Sequence, residues 1–238
     1  MVKGRERQIS ESLLVGLLLA YVGGYLDGYT YLLRDGMFAT METSNLILAV
    51  YHMIHSHWST GMMYMIPIAG FTLAVAATSL TEHFLKYRKP PLHWRQITLI
   101  AEIALIIWAS FIPISPELNI YSTLLLSIAS GIQLESFRSI HSISFAANMA
   151  TGNLQKIARG VVKGITLHNR QVLKEALCFV GIVLSFTVGI STSFLIGESV
   201  GCYTTLFSII PLLIIFFVLF KKPVATEEAM AFPIIEEE

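Results

Sequence analysis

The sequence predicts an all-α integral membrane protein with an internal duplication: six membrane-crossing helices plus two polar re-entrant or interfacial helices. Only 13% of the 238 residues are charged and 54% are hydrophobic, whereas soluble domains average roughly 25% charged residues. The apolar residues form runs of about 17 to 25 positions, the length that spans a bilayer. A polar pattern within these runs occurs twice, which indicates the duplication.

Six apolar runs are predicted to cross the membrane. They are Leu13–Leu33, Met62–Leu80, Ile97–Ile112, Tyr121–Phe137, Val172–Ile196 and Cys202–Phe220. The last of them contains no charged residue. The first follows a basic N-terminus, as in a signal peptide, but no small-residue cleavage pattern precedes the rest of the helix, so we expect an uncleaved span.

The duplication is visible when the chain is displaced by 108 residues against itself. Without a gap, this pairs Gly23 with Gly131 and Asp27 with Glu135. It also pairs Leu26/Leu134, Met41/Met149, Thr43/Thr151, Asn45/Asn153 and Leu46/Leu154. Polar residues are costly inside apolar segments, so their coincidence at one offset favours a true repeat. The predicted repeats cover residues 12–112 and 120–220, and residues 223–238 form an acidic tail.

Two further segments, Phe38–His57 and Ser142–Lys163, are long enough to cross but contain polar or charged residues. If neither crosses, and the N-terminus is cytoplasmic, 15 of the 16 Lys and Arg residues lie on the cytoplasmic side, with Arg34 alone outside. Short cytoplasmic loops carry the excess of Lys and Arg. We therefore expect six crossings with both termini in the cytoplasm.

Three crossings per repeat place the two halves in opposite orientations, as an inverted 3+3 repeat. A parallel 4+4 repeat is the alternative, if both polar segments cross. Inverted repeats with interrupted helices are a recurring plan of secondary transporters. The polar segments themselves are re-entrant or lie flat at the interface. The spacing of Leu154, Ile157 and Val161 against Lys156 and Arg159 suits an interfacial helix for the second.

Acids within apolar segments are the first candidates for function, because a charge at the bilayer centre costs about 2.5 to 3.5 kcal/mol. Such carboxyl groups can exchange a proton or bind a cation. Polar steps beside a possible helix break could coordinate a solute, and Gly152 would let the backbone approach closely. The structural alternative is that these groups cap or join helices. The predicted substrate- or ion-binding residues are Asp27, Glu42, Thr43, Asn45, Glu102, Gln133, Glu135, Thr151, Gly152 and Asn153.

No metal, cofactor or enzymatic activity is predicted. His52 and His55 share one side of a helix but His57 does not, and no acid or cysteine with ligand spacing lies nearby. Nucleotide-binding glycine loops, zinc-protease motifs and nucleophile elbows are absent from the sequence. The net charge of zero gives no support for nucleic-acid binding.

The two polar patterns resemble a known family. GGYLDGYTYL followed by F-A-x-x-x-T-S-N-L, and GIQLES followed by ATGNL, are similar to the duplicated signature of the YoaK-like bacterial multi-pass membrane proteins, domain of unknown function 1275. The resemblance covers nearly the whole chain. It implies an aspartate in a glycine-rich helix, here Asp27, and a Thr-Gly-Asn step in each half. Ser44 replaces the first of those glycines, and Glu135 stands where the family has a small or amide residue. The resemblance implies an inner-membrane protein and supplies no substrate.

We therefore expect a secondary transporter or permease for a small solute, proton-coupled through an intramembrane acid. Its cavity would be lined by Asp27, Gln133, Glu135 and the two Thr-Asn steps. The alternative is a non-transporting membrane partner, such as an assembly factor or a sensor. Its contacts would use two ladders of small residues, which pack closely in either case: Gly16, Ala20, Gly24 and Gly28, and Gly181, Ser185, Gly189, Ser193 and Gly197. The expected partners are the lipid bilayer and, in a homo-oligomer, further copies of the chain.

Overall fold

The computed structural model describes residues 12–88, 94–140, 143–144 and 150–220. Within these residues the chain is almost wholly helical, as predicted. The helices are α1 Leu13–Leu33, α2 Glu42–Ile54, α3 Trp58–Arg88, α4 Trp94–Ser110, α5 Asn119–Ser136, α6 Ala150–Thr166, α7 Arg170–Val200 and α8 Ile209–Val218, and a 3₁₀ helix, Gly201–Ser208, joins the last two. The predicted acidic tail and basic N-terminus lie outside the described residues.

Three helical stretches in the described part of the chain are long and apolar enough to cross a membrane. They are Leu13–Leu33, Trp58–Leu85 and the stretch Arg170–Val218, which comprises α7, the 3₁₀ helix and α8. These stretches indicate a membrane protein. The remaining long helices, α4 and α5, are shorter, at 17 and 18 residues, and α5 buries several serines and threonines against its neighbours.

One departure from the all-helical expectation follows α5. Two short antiparallel strands, β1 Ser139–Ile140 and β2 Ile143–Ser144, form a minimal hairpin there. The helix ends at Ser136, and the C-cap residue Phe137 has left the helical backbone region. The polar segment predicted to begin at residue 142 therefore starts as extended chain, and its helical part, α6, begins at Ala150.

The helices form a bundle with two recognisable ends. At the first, called the Arg34 end, Arg34 Nη1 donates to the carbonyl oxygen of Pro113 at 2.8 Å, and the rings of Phe111 and Tyr203 lie 6.0 Å apart. This end joins the ends of α1 and α4 with the start of the 3₁₀ helix. The hydroxyl of Tyr64, near the start of α3, donates to the carbonyl of Asp35 at 3.3 Å.

At the opposite end, called the Arg95 end, Arg95 Nε donates to the carbonyl of Ser136 at 2.9 Å. This contact joins the start of α4 to the end of α5. Arg138, just after α5, pairs with Glu82 near the end of α3. Helices α1, α4 and α7 thus run toward the Arg34 end, and α3, α5 and α8 run back.

The glycine ladders bring α1 and α7 into the most extensive helix contact of the bundle. A Cβ atom at Gly24 would lie 2.0 Å from the carbonyl oxygen of Phe186, and one at Gly189 would lie 2.2 Å from that of Tyr21. Only glycine permits such backbone approach. The Ser185 hydroxyl donates to the Leu17 carbonyl at 2.7 Å. The prediction that these faces pack is confirmed.

A second close pair is formed by α3 and α5. Here a Cβ atom at Gly131 would lie 2.7 Å from the carbonyl oxygen of Phe71. The hydrophobic core lies between the two pairs, where Leu19, Ile106, Leu126 and Leu212 of α1, α4, α5 and α8 are each fully buried.

The polar helix α2 starts inside the bundle and returns to its surface. The backbone N–H of Thr40, just before α2, donates to Asp27 Oδ1 at 2.8 Å. Asp27 lies seven residues, about 10 Å of helix, before Arg34. At the other end of α2, His52 stacks on Tyr64 near the start of α3, with ring centroids 5.5 Å apart. The chain thus enters from the Arg34 end, turns beside Asp27 and returns toward the Arg34 end along α2.

Helix α6 forms a hairpin with the first turns of α7 instead. A Cβ atom at Gly160 would lie 2.8 Å from Cβ of Ala176, and the Lys156 ammonium lies 5.0 Å from the centre of the Phe179 ring. One face of α6 is exposed and mixes apolar with basic residues, including Val162, 63% exposed, and Ile165, 65% exposed. This is the amphipathic pattern expected of an interfacial helix.

Candidate functional site

Asp27 is the centre of a polar cluster buried beneath the Arg34 end. It lies in the glycine-rich part of α1 and is 2% exposed. Its Oδ2 accepts the hydroxyl of Thr40 at 2.5 Å, and its Oδ1 accepts the Thr40 N–H. The backbone amides of Ala39 and Met41 also interact with this carboxyl group. The N-cap residue Met41 supplies no side-chain bond to α2, and Asp27 binds the backbone of the turn that leads into this helix.

Asn45, one turn into α2, holds the turn in shape. It is fully buried; its Oδ1 accepts the N–H of Phe38 at 2.9 Å and its Nδ2 donates to the Phe38 carbonyl at 2.8 Å. A side-chain amide that offers both a donor and an acceptor suits this double contact. Asn45, in the Thr-Asn step of the first half, therefore has a structural role: it joins α2 to the preceding chain at Phe38.

Glu42 forms the other half of the cluster. Its Oε2 accepts Asn45 Nδ2 at 2.9 Å, while its Oε1 is buried. The Ser127 hydroxyl of α5 interacts with this carboxyl group, and Asp27 acts on it electrostatically. Neither Glu42 Oε1 nor Ser127 Oγ has a well-formed hydrogen bond in the described part of the chain.

Glu102 is a second buried acid, on a different face of the bundle. It is 1% exposed, and neither of its carboxyl oxygens has a hydrogen-bond partner within the described ranges. It lies on the α4 face that carries Leu99 and Ile106, both in the hydrophobic core. A buried group of this kind is costly unless it is protonated or binds a ligand.

Gln133 and Glu135, predicted to meet Asp27 in one cavity, lie nearer the Arg95 end. Gln133 Nε2 donates to the carbonyl of Leu19 at 3.1 Å, and Leu19 lies eight residues, about 12 Å of helix, before Asp27. Glu135 Oε1 pairs with Arg138 at 3.2 Å. The two acids related by the 108-residue offset therefore occupy different levels of the bundle and do not meet.

The remaining predicted site residues divide by exposure. Asn153 is 2% exposed, whereas Thr43, Thr151 and Gly152 are exposed on the outer faces of α2 and α6. A Cβ atom at Gly152 would have no neighbour within 4 Å, so this glycine is not required by packing. The second Thr-Gly-Asn step presents its threonine outward, and residues 145–149, which lead into it, lie outside the described residues.

Arg34, Thr40 and Ser127 were missed as candidates. Arg34 is 0% exposed, and its guanidinium donates to Tyr29 Oη at 2.6 and 2.9 Å, to the Ile112 and Pro113 carbonyls at 2.7 and 2.8 Å, and to Asn119 Oδ1 at 3.0 Å. Its sequence signal was the helix-breaking Asp35-Gly36 turn, where both residues have positive φ, 59° and 69°. Ser127 gave no signal, because serine is common among packed membrane helices.

In the described part of the chain, no three His, Cys, Asp or Glu side chains come close enough to hold a metal ion. His52 stacks on Tyr64, and His55 Nδ1 contacts the carbonyl of Tyr51 at 2.8 Å. The histidines therefore contribute to the packing and capping of α2.

Comparison with known proteins identifies the chain by family. A family model described as a protein of unknown function (DUF1275) matches residues 15–218. No curated protein and no solved structure matches the chain. The matched region runs from the first turn of α1 to the end of α8, and it includes both polar patterns and every residue of the buried cluster. The chain belongs to the DUF1275 family of proteins of unknown function.

Proposed function

We propose that the protein is a non-enzymatic membrane carrier for a small solute, built as two inverted halves that alternate between two arrangements. The helix boundaries support the duplication. Helices α2 and α6 begin at residues 42 and 150, which are 108 residues apart. The start of α1 is matched within a turn by α5, and α4 is matched within a turn by the 3₁₀ helix with α8.

The directions of the helices support the inversion. Helix α1 runs toward the Arg34 end, but its counterpart α5 runs away from it, since Asn119 at the start of α5 accepts from Arg34 at 3.0 Å. Helix α4 and its counterpart are likewise opposed, because Phe111 after α4 contacts Tyr203 at the start of the 3₁₀ helix. In a parallel 4+4 repeat, each helix and its counterpart would run in the same direction.

The observation that carries the proposal is a difference in register between the two equivalent helix pairs. In the α3–α5 pair, Gly131 approaches the backbone of Phe71. At the 108-residue offset, the equivalent contact in the α1–α7 pair would join Gly23 to Phe179. Instead, Gly24 approaches the backbone of Phe186. The contact point is nearly unchanged on α1 but lies seven residues farther along α7.

Seven residues of helix correspond to about 10 Å, or two turns. The α3–α5 and α1–α7 pairs, which are equivalent in the proposed repeat, thus differ in how far one helix is displaced along the other. Both contacts are formed by small residues. A carrier of inverted repeats alternates access by exchanging the arrangements of its halves. We infer that the α3–α5 register and the α1–α7 register are the two positions of one sliding contact, and that they interchange during transport.

The orientation in the membrane follows from charge. Arg95, Arg138, Arg170 and Lys174 belong to helix ends at or beyond the Arg95 end, and Arg34 lies at the opposite one. The excess of positive residues assigns the Arg95 end to the cytoplasm of a bacterial inner membrane. The re-entrant α2 then enters from the outside and brings the Asp27–Glu42 cluster to the solute path.

Cysteine cross-linking tests the exchange of registers. In a variant without Cys178 and Cys202, L17C with S185C reports the present α1–α7 register, where these residues touch. Their counterparts at the offset are Leu125 and Ala77. In the present α3–α5 register Leu124, the neighbour of Leu125, lies against Gly70, which is seven residues or about 10 Å of helix from Ala77. The proposal predicts that L125C with A77C also forms a disulfide in membranes.

We expect both cysteine pairs to form a disulfide. Each disulfide should lock the protein and abolish uptake of a labelled solute in proteoliposomes. If the first pair forms a disulfide in full while the second never does under any solute or pH condition, the exchange does not occur. Cross-linking of the second pair in detergent-denatured protein at the same rate as in membranes would also remove the support, because that rate would reflect random encounter.

Labelling from each side of the membrane tests the inversion itself. Single cysteines at Gly36 and Glu117 are expected to react with an impermeant maleimide from outside, and those at Arg138 and His168 from inside. A pattern with Gly36 and Arg138 on the same side would favour the parallel 4+4 arrangement and would contradict the proposed carrier plan.

A further inference from the structure

The hairpin of α6 and α7 projects beyond the end of α1. Ser185 of α7 donates to the Leu17 carbonyl of α1 at 2.7 Å. Four residues earlier on these two parallel helices, Leu13 at the start of α1 therefore lies level with Gly181. Helix α7 begins at Arg170, eleven residues or about 16 Å of helix before that level. The length of α1, about 30 Å, matches the hydrocarbon core of a bilayer, so the projecting part of the hairpin starts where the lipid headgroups begin.

The surface of α6 that faces away from α7 divides into an apolar stripe and a basic stripe. The inner face, which includes Gly160 and Gly164, packs against α7. The exposed residues follow the helical period around the rest of the helix. The apolar stripe consists of Leu154, Ala158, Val162 and Ile165, and the basic stripe contains Arg159 and Lys163. Neither of these two cations is paired with an acid in the part of the chain that the structure describes.

A shallow groove lies where the two stripes meet. Its volume is about 460 Å³, and among the described residues it is lined by Ala158, Arg159, Val162 and Lys163. Guanidinium and ammonium groups bind phosphate oxygens, whereas exposed apolar side chains favour contact with hydrocarbon. The groove therefore fits a ligand that carries an anionic group beside an apolar chain.

The charge of the hairpin also favours an anionic partner. Residues 150–175 contain five basic residues and one acid, which are Lys156, Arg159, Lys163, Arg170, Lys174 and Glu175. An acidic protein would match this charge, but it would not account for apolar side chains exposed beside the cations. A phospholipid supplies both a phosphate and an acyl chain, and it does so at the level where the hairpin leaves the hydrocarbon core.

We propose that the exposed surface of α6 binds anionic phospholipids, with Arg159 and Lys163 on the headgroup phosphate and the apolar stripe against an acyl chain. Basic residues at a membrane surface attract anionic lipid, with a gain of about five-fold in affinity for each residue. This inference goes beyond the carrier function and does not depend on it, because it uses only the position of the hairpin and the chemistry of its surface.

Quenching of a fluorophore by brominated lipids tests this surface. In a variant without Cys178 and Cys202, L154C carries the fluorophore on the apolar stripe, one turn before the groove. The labelled protein is reconstituted into bilayers in which either phosphatidylglycerol or phosphatidylcholine carries bromine on its acyl chains. Both lipids contain a phosphate, but only phosphatidylglycerol has a net negative charge. The ratio of the two quenching efficiencies therefore measures the lipid preference at α6.

We expect the parent protein to prefer phosphatidylglycerol, and R159Q and K163Q each to lower that preference by up to about five-fold. R138Q is the matched control, because Arg138 lies at the same end of the bundle but pairs with Glu82 and Glu135. Its replacement should leave the lipid preference unchanged.

Equal quenching by the two lipids in the parent would overturn the proposal, and so would an unchanged preference in an R159Q/K163Q protein that unfolds at the parent's temperature. Failure of both lipids to quench would show that acyl chains do not reach the apolar stripe, which would point to a protein partner. Loss of the preference on addition of inorganic phosphate, but not of chloride at the same ionic strength, would assign the groove to free phosphate. None of these outcomes bears on the L125C–A77C cross-link, so the lipid surface and the carrier function stand or fall separately.

Discussion

Thr40 binds the carboxylate of Asp27 twice, through its backbone N–H at 2.8 Å and its hydroxyl at 2.5 Å. These two contacts join the body of α1 to the turn that starts α2, across 13 residues of sequence. They explain how a polar segment can begin inside the helix bundle, because the backbone amides of the turn bond to a buried carboxylate.

The Thr40 hydroxyl is therefore expected to stabilise the fold. T40V keeps the shape of the side chain but removes one hydrogen bond to a charged acceptor, which contributes about 1.5 to 3 kcal/mol. Thermal unfolding in detergent micelles should show a lower midpoint for T40V than for the parent. T43V, a matched change at an exposed threonine of the same segment, should leave the midpoint nearly unchanged. Equal midpoints for the two variants would show that the Thr40–Asp27 hydrogen bond does not stabilise the fold.

Gly24 is expected to tolerate no side chain. In G24A the new Cβ atom would lie 2.0 Å from the Phe186 carbonyl oxygen, so α1 and α7 must separate. Overpacking of this kind costs about 1 to 3 kcal/mol or more. G152A is the control, because a Cβ atom there would meet nothing within 4 Å. Yield of monodisperse protein and unfolding temperature should fall for G24A only; a normal G24A protein would contradict the close packing on which the sliding contact depends.

Arg34 is expected to resist replacement even by lysine. Its guanidinium bonds to two backbone carbonyls, to Tyr29 and to Asn119, and an ammonium group has three donors without the planar geometry. R34K should lower the free energy of unfolding by at least about 2 kcal/mol, since buried acceptors lose their donors. R138K, at a side chain 55% exposed, should change it by less than about 1 kcal/mol. The reverse order of the two effects would show that the Arg34 network is dispensable.

Glu102 is expected to lower the stability of the protein. Both of its oxygens are buried without a partner in the described residues, so E102M removes an unsatisfied polar group from an apolar face and should raise the unfolding midpoint, by an amount equivalent to about 1 to 3 kcal/mol. D27N, at a buried acid whose bonds are made, should lower the midpoint. A lower midpoint for E102M would indicate that Glu102 has a stabilising partner.

The sequence was sufficient for the long helices and for the two ladders because both depend on local composition. Leu13–Leu33 was predicted with the bounds that α1 has. The apolar run begins directly after Ser12, which caps the helix, and ends directly before the Arg34-Asp35-Gly36 break. The close approach of Gly24 and Gly189 to opposing backbones followed from small residues at four-residue spacing.

The repeat alone could not show whether Asp27 and Glu135 lie close together. An internal offset identifies equivalent positions but not the position of one half along the other. The Gln133–Leu19 contact sets that position, and it depends on long-range packing that leaves no trace in spacing. The partner of Asp27 was also hidden, because Thr40 belongs to a turn whose path is set by Asn45 and Phe38 and not by periodicity.

The pairing of α1 with α7 and of α3 with α5 has a consequence for assembly of the chain. Each of these two pairs takes one helix from the first half of the sequence and one from the second, so neither of the two interfaces lies within one half. As the protein is synthesised, the glycine face of α1 has no partner until more than 150 further residues have been made. Helix α1 therefore reaches its most extensive contact only after α7, in the last third of the chain, has been synthesised.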